Sequence, residues 1–445
     1  MNPYLGYEIA LGLFAAYFAV VYVLYRTGRL GPDRSISLFG PALMTKTKRG
    51  RTALDRWGRF RRFWTVVGDV GIALAAIAMA TIFALLLFGA VIATRIPSSK
   101  APPLTEALAI PGINPIIPIG YGIVALAVGI VLHELMHGIL ARSQKIGVKS
   151  LGILWLVIPV GAFVEQDDKE MLAAPRRQRD RVAAAGVLAN FALTVVFFVA
   201  VSAVVSTSVT PTASGVGIAS VEPSTPAANL SLAAGDIITS LNGTSTPTFA
   251  SFETAISHTT GGESVPLVYY SAGLGRLVST DVTLAASTST PGRGYLGVEV
   301  YDLTPAELKQ LFVWPAGSSF GPYIGTLDWL VLPFAGIEPV AGATASYFHV
   351  SGPLAAAGAA PFWIGVNILY WLAWMNLLLG LSNALPVFPL DGGLLFRDFA
   401  ASIAARFRRG WSEARLDEFA GRATTVSSLL VLFLFIWQFI APRLL

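Results

Sequence analysis

The 445-residue chain contains no cysteine. Disulfides, cysteine-bound zinc and thiol catalysis are thereby excluded, and any metal must be held by histidine, aspartate or glutamate. Histidine is scarce as well, with four in the whole chain. Charge is the third shortage: 13% of residues are charged, where a soluble domain carries about 25%. Hydrophobic residues make up 54% and the mean hydropathy is +0.64, the composition of a membrane protein. An isoelectric point near 9.4 would suit a nucleic-acid partner, but the placement of the basic residues argues against one.

A helix crossing about 30 Å of hydrocarbon needs about 20 apolar residues. Residues 5–25, 63–93, 119–140, 182–205 and 362–385 meet that length, and 424–440 is a shorter, continuous sixth run. The first run has no basic segment before it, so it reads as a span rather than a cleaved signal. Residues 104–119, 151–164 and 324–340 are apolar but broken by Pro and Gly. Such segments are expected to be re-entrant or interfacial, buried against protein.

Three loops hold 25 of the 31 basic residues: 11 in 26–62, 8 in 142–181 and 6 in 397–422. The long segment 206–361 has only Arg276, Arg293 and Lys309 against 10 acidic residues. The basic loops alternate correctly for six spans. The positive-inside rule therefore puts them in the cytoplasm, with both termini and the long segment outside. The basic excess marks topology beside anionic lipid, and no nucleic-acid partner is expected.

Between about residues 215 and 284 the character changes to Val- and Ile-rich stretches separated by Gly, Ser, Thr and Pro. Strands are expected at 217–221 and 236–241, a tight turn at Asn242-Gly243, a helix at 249–258, and two closing strands at 265–270 and 277–284. Residues 305–312 suggest a surface helix. His258 and His349 fall in this segment and read as ordinary surface residues.

The chemistry concentrates in the third run, where His133, Glu134 and His137 interrupt an apolar helix. An isolated charge there costs at least about 2.5–3.5 kcal/mol. Residues four apart share a helix face, so the two imidazoles can bind one metal with Glu134 beside them. This is the HExxH pattern of zinc hydrolases, in which the glutamate is the general base. The competing reading, two core histidines and a paired glutamate, fits poorly when half of the chain's histidines sit in one apolar helix. Catalytic zinc usually takes three protein ligands and keeps one position open. The fifth run also heads inward and ends in LSNALPVFPLDGG, where Asp391 can reach the same depth; its alternative role is to cap the next helix.

At this point the sequence resembles the site-2 proteases, intramembrane zinc metalloproteases. His133-Glu134-Leu135-Met136-His137 matches their first motif, and Asn383, Pro386, Asp391 and Gly392 match the second. Gly161-Ala162-Phe163-Val164 resembles the membrane-embedded hairpin after the catalytic helix, although Ala162 stands where many members have Gly. Gly186 and Asn190 resemble a Gly-x-x-x-Asn element. The stretch carrying Pro226-Ala227-Ala228, Gly235-Asp236-Ile237-Ile238 and Asn242-Gly243 resembles the core of PDZ domains attached to bacterial proteases, which capture peptide carboxyl ends.

The resemblance implies one zinc ion per chain on His133, His137 and Asp391, with Glu134 as base. It also implies substrate contacts from Asn383, Pro386, Asn190, Gly161 and Phe163, although each asparagine could instead make an ordinary interhelical hydrogen bond. The implied fold is an α-helical polytopic membrane protein of about six transmembrane helices with a small β-rich PDZ-like insert. The expected parts are N-terminal helices and a basic loop (1–118), the first part of the catalytic core (119–206) and the extracytoplasmic PDZ-like domain (207–290). A connecting region (291–361), the second part of the core (362–395) and a cytoplasmic amphipathic segment with the last span (396–445) follow. The expected partners are single-span membrane proteins cut within their spans, peptide C-termini at the insert, and the lipid bilayer of the cell membrane. A transporter with an intramembrane ion site, or a scaffold with a non-catalytic metal, is the alternative; no internal repeat supports the first.

Overall fold

The computed structural model describes residues 5–31, 34–313, 332–335 and 342–444. Among them, five helices are long and apolar enough to cross a membrane. An N-terminal helix α1 (Leu5–Arg26) precedes them, and its described side chains cover only the shorter apolar stretch Leu11–Arg26. Against the expected count of about six, the described residues hold five candidate spans and this one shorter apolar stretch. The expected apolar piece at 324–340 lies largely outside the described residues, and 104–119 forms turns with one 3-10 segment at Leu104–Ala107.

The chain divides into two compact units, residues 1–194 with 375–445, and residues 195–374. The first unit begins with α1 and an antiparallel hairpin, β1 (Ile36–Phe39) and β2 (Ala42–Thr47). Helices α2 (Arg51–Gly58), α3 (Arg61–Ala93) and α4 (Ile119–Ser143) follow. Next come strands β3 (Val148–Leu156) and β4 (Ile158–Gln166), which extend the first hairpin into one sheet of order β1-β2-β3-β4. A paired sheet satisfies its own backbone, which is how non-helical chain is tolerated at the site of the expected re-entrant segment. The Tyr17 hydroxyl ties α1 to this sheet, donating to Pro41 O and Trp155 O and accepting from Leu43 N–H.

After a short helix α5 (Asp168–Ala173), α6 (Arg176–Ser208) runs on into the second unit. Asp167 caps α5; the Glu170 N–H, with Lys149 nearby, holds its carboxyl below the usual range. Apolar side chains such as Val66, Ile77 and Phe88 on α3 point outward, as expected where lipid is the solvent.

The second unit carries β5 (Val209–Pro211), β6 (Val216–Val221), α7 (Pro226–Asn229), β7 (Ile237–Leu241), β8 (Thr244–Ser245) and α8 (Phe249–Ser257). Strands β9 (Ser264–Ser271), β10 (Arg276–Thr283), β11 (Ala285–Ala286), β12 (Gly294–Tyr295) and β13 (Val298–Val300) follow, then helix α9 (Pro305–Leu311) and strand β14 (Phe348–Val350). The main sheet runs β10-β9-β7-β6-β13, with β8 on β7. Val216, Ile218, Ile238, Leu241, Phe252 and Leu267 form its core. The alternating Val and Ile of the sequence are what fill it. The expected strands and helix of this stretch match within a few residues, and α9 carries a Thr304–Glu307 capping box.

Gly235, with φ of +100°, is the third residue of the turn 233–236, which the buried Asp236 carboxylate locks by accepting from the Ala233 and Ala272 N–H groups. Tyr347 packs over Gly217 and donates to Ile218 O at 2.6 Å. Helix α10 (Ala359–Asn383) begins in this unit and ends in the first, where α11 (Asp391–Phe407) and α12 (Glu413–Leu444) complete the chain.

Asp236→Ala removes two charge-assisted hydrogen bonds and should cost the second unit about 2–3 kcal/mol. Limited proteolysis of the full-length protein in membranes should then cut within 215–300 faster than in the wild type, with metal content unchanged.

Candidate active site

Helix α4 presents His133 and His137 on one buried face. Their Nε2 atoms lie 3.1 Å apart. Helix α10 stops at Asn383, the chain turns through 384–390, and α11 starts at Asp391. Asp391 is the first helical residue, and the cap position belongs to Leu390, so the capping alternative does not apply. Gly392 and Gly393 sit against the backbone of 384–388, where a Cβ would overlap Ala384 and Val387 carbonyls. That close packing brings Asp391 Oδ2 to 3.2 Å from both Nε2 atoms.

Helix α6 closes the other side. His137 Nδ1 lies 2.7 Å from Val182 O. A carbonyl only accepts, so Nδ1 carries the proton and Nε2 is a bare lone pair. The Asn190 amide lies 3.1 Å from His133 Nδ1. The nearest amide atom is Nδ2, and Oδ1 is buried with no partner; turning the amide over satisfies both sides of the contact, because Oδ1 then accepts from Nδ1–H. His133 Nε2 is then bare as well. Gly186, one turn before Asn190, has no room for a Cβ: it would overlap both imidazoles.

Three acceptors therefore face one point. The Asp391 Oδ2 is buried without a hydrogen-bond donor, and two imidazole lone pairs meet it at 3.2 Å. This arrangement is repulsive unless a proton or a metal cation sits among them. The 3.1–3.2 Å separations are close to the edge of about 3.3 Å in a tetrahedron with zinc–ligand bonds of about 2.0–2.1 Å. Two imidazoles and one carboxylate are also a catalytic zinc donor set, leaving a fourth position open. The residues fit the metal.

Glu134 lies next to the cluster, and its Oε2 accepts the Val164 N–H of β4 at 3.1 Å. Strand β4 is the outer strand of its sheet. Phe163 packs its ring over Gly152 of β3, and Gly161 pairs with Leu154. Asn383 donates to Leu379 O of its own helix. Pro386 lines an apolar cavity with Met79, Phe396, Phe399 and Leu430. Sequence reasoning grouped the five as substrate contacts. The structure puts the Asn190 amide on a histidine and brings Gly161 and Phe163 to the strand beside Glu134. The Val182 carbonyl was missed, because a backbone acceptor leaves no side-chain signal.

Comparison with known proteins agrees with this geometry. The model of Peptidase family M50 matches residues 121–420, more than half of the chain and both halves of the cluster. The chain belongs to peptidase family M50. This is the site-2 protease family, so the protein is a multi-pass membrane metalloprotease and its family implies zinc. An uncharacterised protein of Methanocaldococcus jannaschii is 26% identical over 368 residues, covering 82% of this chain and 79% of that one. A Clostridium acetobutylicum protein, provisionally named a zinc metalloprotease, is 25% identical over 303 residues, covering 62% and 84%. A Mycobacterium tuberculosis protein provisionally named zinc metalloprotease Rip3 is 40% identical over 81 residues, 18% of this chain and 19% of that protein.

Asn190→Ala should weaken zinc binding about 10–100-fold, the usual cost of losing a partner that orients a ligand histidine. Gly186→Ala should weaken it at least as much by displacing both rings. Competition of the purified protein with a chromogenic chelator measures both.

Proposed function

We propose that this M50 protein is an endopeptidase holding one zinc ion per chain, which cuts peptide bonds within the membrane-spanning segments of other membrane proteins. The observation that carries this reading is the three-acceptor cluster of His133, His137 and Asp391, built from two helix elements in an apolar unit. Zinc bound there polarises a scissile carbonyl and makes a water molecule acidic.

The chain's own residues do the rest. Glu134 takes the water's proton and returns it to the leaving amine. The Val164 N–H holds one of its oxygens, so the carboxylate is oriented before substrate arrives. A helical substrate hides its peptide bonds and must be held extended; the outer edge of β4 beside Glu134 is the candidate ladder partner, with Gly161 and Phe163 on that strand as candidate substrate contacts. Asn383 and Pro386 border the turn that delivers Asp391 and are the candidates for flanking contacts. The basic loops suggest that the site lies toward the cytoplasmic side, with the second unit outside.

That unit is read as PDZ-like. In support, β13 is an edge strand, and a cavity of about 180 Å³ lies between α8 and residues 294–298, with Arg293 on its wall. An extended peptide end of a membrane-protein substrate is the proposed occupant.

The test is cleavage of a panel of single-span membrane proteins by purified protein in bilayers. Glu134→Gln should lower the rate by at least about 10²–10⁴-fold while retaining zinc, and Asp391→Ala should lose zinc. Undiminished cleavage by Glu134→Gln would refute the base assignment. Zinc bound in the wild type without any cleavage would favour a transporter or a scaffold.

A further inference from the structure

The three metal ligands come from two helices, but their supports converge on a third. On α6, Val182 O holds His137, Gly186 packs against both rings and Asn190 holds His133. Three residues before Val182, Arg179 makes a two-pronged ion pair with Asp398 of α11, Nε–Oδ2 3.1 Å and Nη2–Oδ1 2.7 Å. Asp398 is buried. Positions 179, 182, 186 and 190 fall within about 80° of one another around the helix and span about 16 Å along it. They form one stripe.

Asp398 lies seven residues after Asp391 on α11, which is about two turns, so the two carboxylates lie on the same face. The start of α11 is located by the contact of Gly392 and Gly393 with the preceding turn. One contact leaves a helix free to pivot, whereas a second point two turns along sets its direction and rotation. The planar guanidinium fork is suited to that task because it fixes angle as well as distance.

We infer that Arg179 and Asp398 are positioning residues for the metal site: they hold α11 on the α6 stripe that already orients both histidines, and so aim Asp391 at the Nε2 pair. The inference rests on the metalloprotease reading and extends it to residues that touch neither metal nor substrate.

The test compares Arg179→Gln, Asp398→Asn and Arg179→Lys with the wild type, using the full-length protein in detergent. Zinc release to excess chelator is the first readout and the split of kcat and KM on a cleaved substrate the second. Asp69→Asn serves as control: it breaks the Arg181–Asp69 pair at the same end of α6 but is not joined to α11 by that contact. Arg179→Gln and Asp398→Asn should release zinc at least about tenfold faster and lose kcat with KM little changed. Arg179→Lys, which keeps the charge and loses the fork, should fall between them and the wild type. Release at the wild-type rate in both neutral variants, or equally fast release in Asp69→Asn, would overturn the inference. If the neutral variants fail to fold, Arg179→Lys decides: wild-type zinc release and kcat overturn it, and faster release with lower kcat supports it. A wild type that holds no zinc would overturn the metalloprotease reading instead.

Discussion

Two imidazole nitrogens and a carboxylate oxygen, each with its lone pair directed at the others, cannot share a buried space at 3.1–3.2 Å without a positive charge among them. Much of the first unit can be understood as the means of keeping them there. The hydrogen bond to Val182 O fixes His137 in the tautomer that leaves Nε2 bare, and the Asn190 amide meets His133 at Nδ1, away from the cluster. The glycines at 392 and 393 remove the side chains that would hold Asp391 away. Both histidines are buried, and burial makes uncompensated acceptors costly and so favours a bound cation.

Close approach between helices is the second condition. Residues 182–190 of α6 read VAAAGVLAN, and nearly all of them are buried. Small side chains let backbones meet where lipid supplies no hydrophobic drive for helix association. At Gly186 that closeness is used for chemistry: the helix backbone itself forms the floor under both imidazoles. The Arg181–Gln144 contact fastens the polar end of α6 to the end of α4, so the helix that supports the ligands is itself held to the helix that bears two of them.

The site was legible in the sequence to the extent that its signals are chemical. Histidine and glutamate in an apolar helix, and an aspartate among Pro and Gly at the end of another, stand out because lipid makes them expensive. The long apolar runs gave the helices for the same reason, and the Val and Ile alternation gave the strands of the second unit. What stayed hidden depends on backbone or on partners distant in sequence. The hairpin 36–47 lies within a basic loop, and its pairing with β3 through Leu43 and Trp155 is not announced by either segment alone. The Val182 carbonyl and the Arg179–Asp398 pair are contacts of ordinary residues whose meaning comes only from what they face.

The position of β4 follows from the membrane as solvent. A peptide bond released from a helix in lipid leaves an N–H and a C=O unpaired, and each costs several kcal/mol. A protease cutting within a membrane span, the reading proposed here, must supply replacements where it opens the helix, and an outer strand supplies them in the geometry of a ladder. In this structure the outer strand runs beside the helix that bears His133 and His137, and the Glu134 carboxylate accepts one of its amides, Val164 N–H. On that reading, a substrate strand laid on β4 would arrive next to Glu134, and the contacts that offset the cost of unwinding it would also present its scissile bond to the cluster.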